Sequence, residues 1–207
     1  MIQTPFYGGG GFWSLVMISM TESDGINFPN KTSAVIQTDQ HSEPARLFTR
    51  VQNSVKRHGR KPLLFLLELF REHCDATSTK FLSLLAKVKD VDERLLAELE
   101  TESKPEDARK EYRELSRILH KNHMDFEELG RRRKFEEKFG KRLSDDLRHD
   151  SGLSQVVAMY ADISQSRDVD IESLPGKLES QRNVVSSLIP LHHLREWSPN
   201  MDDSCPA

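Results

Sequence analysis

From Phe70 to Leu95 the chain sets Phe70, Cys74, Thr77, Phe81, Leu84, Val88, Val91 and Leu95 at alternating steps of four and three residues. Those steps keep every member on one stripe of an α-helix, whereas a strand would scatter them over both faces. Held for more than three heptads, the pattern needs another helix along its whole length to cover it. Lys87, Lys89, Asp90, Asp92, Glu93 and Arg94 occupy the remaining faces. Pro62 suits the first turn of this helix, where its missing N–H would be unpaired in any case.

The helix is expected to end in the stretch "ETESKP". Ser103 and Glu106 then have the spacing of a capping box, with Pro105 inside the first turn of a second helix. Tyr112, Leu115, Leu119, Asn122, Phe126 and Leu129 continue it at steps of three and four, with polar Asn122 placed to set register. Gly130 and Gly140 each cost about 1 kcal/mol relative to alanine, so a bend is expected between Phe126 and Leu143. Asp150 or Ser151 should cap a third helix built on Leu153, Val156, Val157, Tyr160, Ile163 and Ile171. Pro175 in "SLPG" should kink or restart it. The next stripe, Leu174, Leu178, Val185, Leu188 and Ile189, is expected to stop at Pro190.

The fold class that follows is all-α: an elongated antiparallel bundle of three to four long helices, with disordered N-terminal and C-terminal tails. Its parts are a mostly disordered segment 1–60, a helical coiled-coil-like bundle 61–189 and a disordered tail 190–207. Thr, Ser, Asn, Asp and Pro dominate between Thr21 and Pro44, and "TSAVIQT" is the one strand-like piece there. That region also fits the remnant of a β-rich segment that has lost its partners. Hydrophobic residues are 36% of the chain and charged residues 30%, a balance that suits amphipathic helices and disfavours a buried sheet. A net charge of −3 gives no global attraction to nucleic acid, and none is expected as a partner. The most apolar run, "PLLFLLELF", is about half the ~20 residues of a helical span, and no membrane span or signal peptide is expected.

Chemistry-bearing residues are few. "RRRKFEEKFGKR", Arg131 to Arg142, is basic, but Glu136 and Glu137 interrupt it, and pairs such as Arg133–Glu137 would make it a solvated helix face. His120 and His123 share a helix face near Asp125 and Glu127, but no motif supplies a third metal ligand. His192 and His193 are adjacent and diverge on a helix. Cys74 falls on the apolar stripe, and neither it nor Cys205 sits in a CxxC pattern, which fits a reducing compartment. No Walker A, GxGxxG, HExxH or GxSxG pattern is present. Hence no catalytic, cofactor-binding or metal-binding residue is expected, no cofactor is assigned, and the protein is read as a non-enzyme.

The stretch "ESLPGKLESQRNVVSSLI" resembles the helix that leads towards the membrane in fungal CorA-like proteins, relatives of magnesium transporters. Leu174, Pro175, Leu178, Glu179, Ser180, Gln181, Val184, Val185, Leu188 and Ile189 carry the likeness. "PLLFLLELFREH" is similar to the same family's cytoplasmic helical region, so the resemblance spans residues 62–189. In the family the helix continues into two transmembrane helices, with a Gly-Met-Asn signature in the transporters proper. Here Pro190 follows, and neither the spans nor that signature occurs. The resemblance implies a cytoplasmic, non-enzymatic stalk-like region cut off before the pore, from a truncated or mis-spliced gene model or a short paralogue. It would act by self-association or by pairing with a related helical protein. The alternative is an independent coiled-coil scaffold or signalling adaptor unrelated to transport.

Overall fold

The computed structural model describes the backbone at residues 2–3, 13–20, 31–38, 44–59, 61, 63–100 and 105–196. It describes side chains at 45–59, 61, 63–98 and 107–188. From Pro44 onward the described chain is all-α, with five helices: α1 (Pro44–His58), α2 (Leu64–Glu100), α3 (Pro105–Asp146), α4 (Ser151–Gln165) and α5 (Asp168–Glu196). At a rise of 1.5 Å per residue, α2 and α3 are about 56 and 63 Å long. Both contribute to two compact units. The first takes residues 1–80 and 128–168, and the second takes 81–127 and 169–207.

In the first unit Leu47 of α1, Leu64, Leu67, Phe70 and Cys74 of α2, Phe139 and Leu143 of α3, and Leu153 and Val157 of α4 form one apolar cluster. Helix α1 starts well before the expected onset of order at Pro62. Its apolar stripe, Leu47, Val51 and Val55, is narrow, and polar ties supplement it. Arg50 donates to Asp75 at 2.7 Å and lies 3.2 Å from Glu72, while the Ser54 hydroxyl donates to Glu68. These partners come from α2, so the segment's own sequence shows only half of what holds it. Gly59 ends α1 with φ of +77°, a left-handed conformation that glycine adopts without penalty.

The described backbone of the N-terminal segment includes three strands. Strands β1 (Ile2–Gln3), β2 (Trp13–Met20) and β3 (Lys31–Thr38) form an antiparallel sheet in the order β1-β2-β3. Strand β2 pairs with β3 over all eight positions, from Trp13 opposite Thr38 to Met20 opposite Lys31. "TSAVIQT" is thus paired rather than orphaned.

The second unit is an up-down-up set of α2, α3 and α5. Val91, Leu95, Ala108, Tyr112, Leu115, Leu119, Val185 and Leu188 pack in one buried cluster. The expected seam is present: Phe81, Leu84, Val88, Val91 and Leu95 are all buried. Leu174, Leu178, Val185 and Leu188 are buried as well, and the last two close the cluster within the same chain.

Several boundaries differ from expectation. The third helical stretch breaks at Ser166–Arg167 rather than at "SLPG", and α5 runs through Pro175 and Pro190. A proline forfeits one backbone bond and bends a helix without ending it when adjacent turns are anchored. Pro190 frees the carbonyl of Ser186, which lies on the exposed face of α5 where water can meet it, whereas Pro175 frees that of the buried Ile171. The expected stop at Ile189 is therefore absent. Helix α3 also continues past both glycines. Gly140 is where Phe70 approaches, its ring carbon 3.0 Å from where a Cβ would sit, whereas Gly130 faces open space. Asp150 caps α4 as expected, accepting from the Leu153 N–H. The side chains of Ser103 and Glu106 lie outside the described residues.

Candidate functional site

A cluster of ionisable side chains lies in the first unit, where the basic stretch of α3 meets α2 and α4. Helical spacing turns Arg132, Arg133 and Glu136 inward, while Lys134, Glu137, Lys138, Lys141 and Arg142 form the solvated face that the composition suggests. Arg132 and Glu136 are almost fully buried. Arg132 donates to Glu128 at 3.1 Å, and Lys80 of α2 completes that group. Arg133 holds Asp168 with two bonds of 2.8 and 2.9 Å and donates to Glu136 at 2.6 Å. The Ser164 hydroxyl donates to the same Glu136 oxygen at 2.5 Å. The expected Arg133–Glu137 pair is replaced by Arg133–Glu136, because Glu136 shares the buried side with Arg133 and Glu137 faces out. Burial works to lower the Arg133 pKa, but its bonds to Asp168 and Glu136 outweigh that and raise it.

His73 of α2 reaches the same centre. Its Nε2 is 3.9 Å from the other Glu136 oxygen, too far for a hydrogen bond, and its ring meets Phe135 edge-on at 4.8 Å. Burial and the positive charge of Arg132 push its pKa down to about 3, so the imidazole is neutral at ordinary pH. Burial, reinforced by Glu136, pushes the neighbouring Cys74 thiol well above its usual range. A neutral thiol is a poor nucleophile, which accords with reading Cys74 as a buried hydrophobe. A cleft of about 530 Å³ opens beside Glu136, Arg133, Ser164 and Asp168, with Phe70 and Val157 on its walls. The Glu136 oxygen that lacks a hydrogen bond is sealed from it, having no accessible surface. The arrangement ties α2, α3 and α4 together.

In the second unit His120 and His123 line a groove of about 590 Å³ between α3 and α5, with Glu179 and Arg182 opposite. His123 lies 3.6 Å from Glu127, and Asp125 turns the other way to receive Lys87 at 2.6 Å. Asp125 thus diverges from His123 and Glu127, which stay together. Among the described residues no group of three His, Cys, Asp or Glu side chains could hold a metal ion. His192, His193 and Cys205 lie outside the residues whose side chains are described.

Charge also patterns the contact of α2 with α3. Lys80, Lys87 and Arg94, spaced by seven, bind Glu128, Asp125 and Glu111 respectively, Arg94 through two bonds of 2.8 and 2.5 Å. Heptad-spaced flanking pairs of this kind select helix orientation and register. Asn122, expected to set register, is fully buried, yet neither of its amide atoms finds a hydrogen-bond partner. Gln181 of α5 does what Asn122 does not. Its amide donates to the Val88 carbonyl at 2.8 Å and to Asp92 at 2.7 Å, from within the stripe of Leu178 and Val185. A glutamine interrupting an otherwise apolar helical stripe was the available signal for this tie.

Among the described residues no helix is long and apolar enough to cross a membrane. No protein-family model matches the chain, and no curated protein matches it.

Proposed function

We propose that this protein is a non-enzymatic helical association module, akin to the cytoplasmic helical region of fungal CorA-like transporters, and that it pairs with a second copy of itself. The observation that carries this reading is on α2. Leu82 and Leu96 are two heptads apart and 63% and 59% exposed, while the opposite stripe of the helix is already filled by its own chain. Lys89 holds the heptad position between them and pairs with Glu93, and two exposed leucines flanking a charged pair are the kind of surface that marks an interaction site. The locked ion pairs around Glu136 and the un-ionised Cys74 thiol support a structural role for the polar centre.

One observation favours the alternative of an independent scaffold. The stripe of α5, which a stalk would leave for neighbouring subunits, is buried within this chain. Sedimentation velocity separates the outcomes. The intact chain should dimerise with rising concentration, and Leu82→Lys/Leu96→Lys should shift it towards monomer. An intact chain that stays monomeric at every concentration would overturn the association reading.

A further inference from the structure

Strand β3 ends its sheet. Among the described residues no strand pairs with its outer edge, and β1 covers only Ser14 and Leu15 of β2 on the other side. An isolated two-stranded hairpin is marginal in water, and three or more strands are needed for independent stability. A two-residue β1 scarcely supplies the third. Exposed edges in natural sheets are usually blocked by a proline, an inward charge or a bulge. From Thr32 to Thr38 β3 contains no charge, proline or glycine. Its pairing with β2 is regular at every position, with no bulge. Among the described residues the edge is open, and eight residues at 3.4 Å make it about 27 Å long.

What fits it is set by its own sequence. Antiparallel pairing about a two-fold axis normal to the sheet keeps equivalent faces on the same side, so residue i must meet a residue of the same parity. Centred on Val35, that operation sets Val35 opposite Val35, Ala34 opposite Ile36, Ser33 opposite Gln37 and Thr32 opposite Thr38. Small meets large, polar meets polar, and the threonines form a favourable cross-strand pair. All seven residues find a compatible partner, and no like charges face each other.

We propose that the outer edge of β3 pairs antiparallel with the same edge of a second copy, centred on Val35, to give a continuous sheet β2-β3-β3-β2. This contact lies on different elements from Leu82 and Leu96 and extends the association reading to a second surface. Its test is register-specific cross-linking of the full-length chain in a Cys205→Ser background. With Val35→Cys the two thiols fall within the 4.4–6.8 Å Cα separation that a disulfide spans. With Ser33→Cys the two lie about 14 Å apart along the edge, beyond reach. Mild oxidation should convert most of the Val35→Cys chain to covalent dimer and leave Ser33→Cys monomeric. Ser33→Cys/Gln37→Cys should cross-link again, which guards against a folding defect at Val35. The pattern should persist when Leu82→Lys/Leu96→Lys is added, so failure of the helical contact is distinguishable from failure of this one. Absence of covalent dimer with both Val35→Cys and the double variant, or equal cross-linking with Ser33→Cys, would overturn the proposal.

Discussion

Replacing His73 with phenylalanine should flatten the loss of stability on mild acidification. The folded chain holds the imidazole neutral, its pKa pushed from 6.5 to about 3 by burial and by Arg132. Unfolding returns His73 to water, where it binds a proton near its ordinary pKa. Below about pH 6.5 the unfolded state therefore carries one more proton than the folded state, and stability falls with pH. The contribution is complete above 6.5 and is lost progressively as pH drops towards about 3. Each pH unit in that window costs about 1.4 kcal/mol, so the 1.5 units from 6.5 to 5 cost about 2 kcal/mol. Phenylalanine keeps a ring beside Phe135 and removes the titration. Urea denaturation followed by far-UV circular dichroism at pH 7 and pH 5 gives the two differences. Only the pH-dependent part is compared, so any constant packing change cancels. Parallel losses in the native protein and the His73→Phe variant would refute a neutral, buried His73.

Leu84→Ala should cost about 2–5 kcal/mol in the same denaturation assay, since Leu84 is only 1% exposed on the seam. Gly140→Ala should destabilise by about 1–3 kcal/mol because the new methyl would press on the Phe70 ring. Gly130→Ala, in open space on the same helix, should stabilise by up to about 1 kcal/mol, so opposite signs are expected from identical substitutions. Arg133→Met should cost about 3–5 kcal/mol by leaving the Glu136 carboxylate buried without its cation. Arg133→Met/Glu136→Gln should recover much of that loss, and a double variant no better than the single one would count against a charge-pairing role.

The helices with wide periodic stripes are legible in the amino-acid order alone. The steps of four and three from Phe70 to Leu95, and of three and four from Tyr112 to Leu129, force amphipathic helices whatever surrounds them. Burial of Leu84, Val91, Leu115 and Leu119 follows from that periodicity. The Asp150 cap was legible for a similar reason, because capping is settled within four residues of chain. Features whose energy comes from residues distant in sequence emerge only once the helices pack. Helix α1 is held by Glu68, Glu72 and Asp75 of α2, which no local window can supply. The inward turn of Arg132, Arg133 and Glu136 depends on partners at Glu128, Ser164 and Asp168, whereas composition alone favours a hydrated basic face. The break at Ser166–Arg167 and the passage of α5 through Pro175 also follow from anchoring by neighbouring helices. Arg133 pins Asp168 at the start of α5, and Gln181 pins its middle to Val88 and Asp92. A helix fixed at both places can accommodate a proline that its isolated sequence reads as an end.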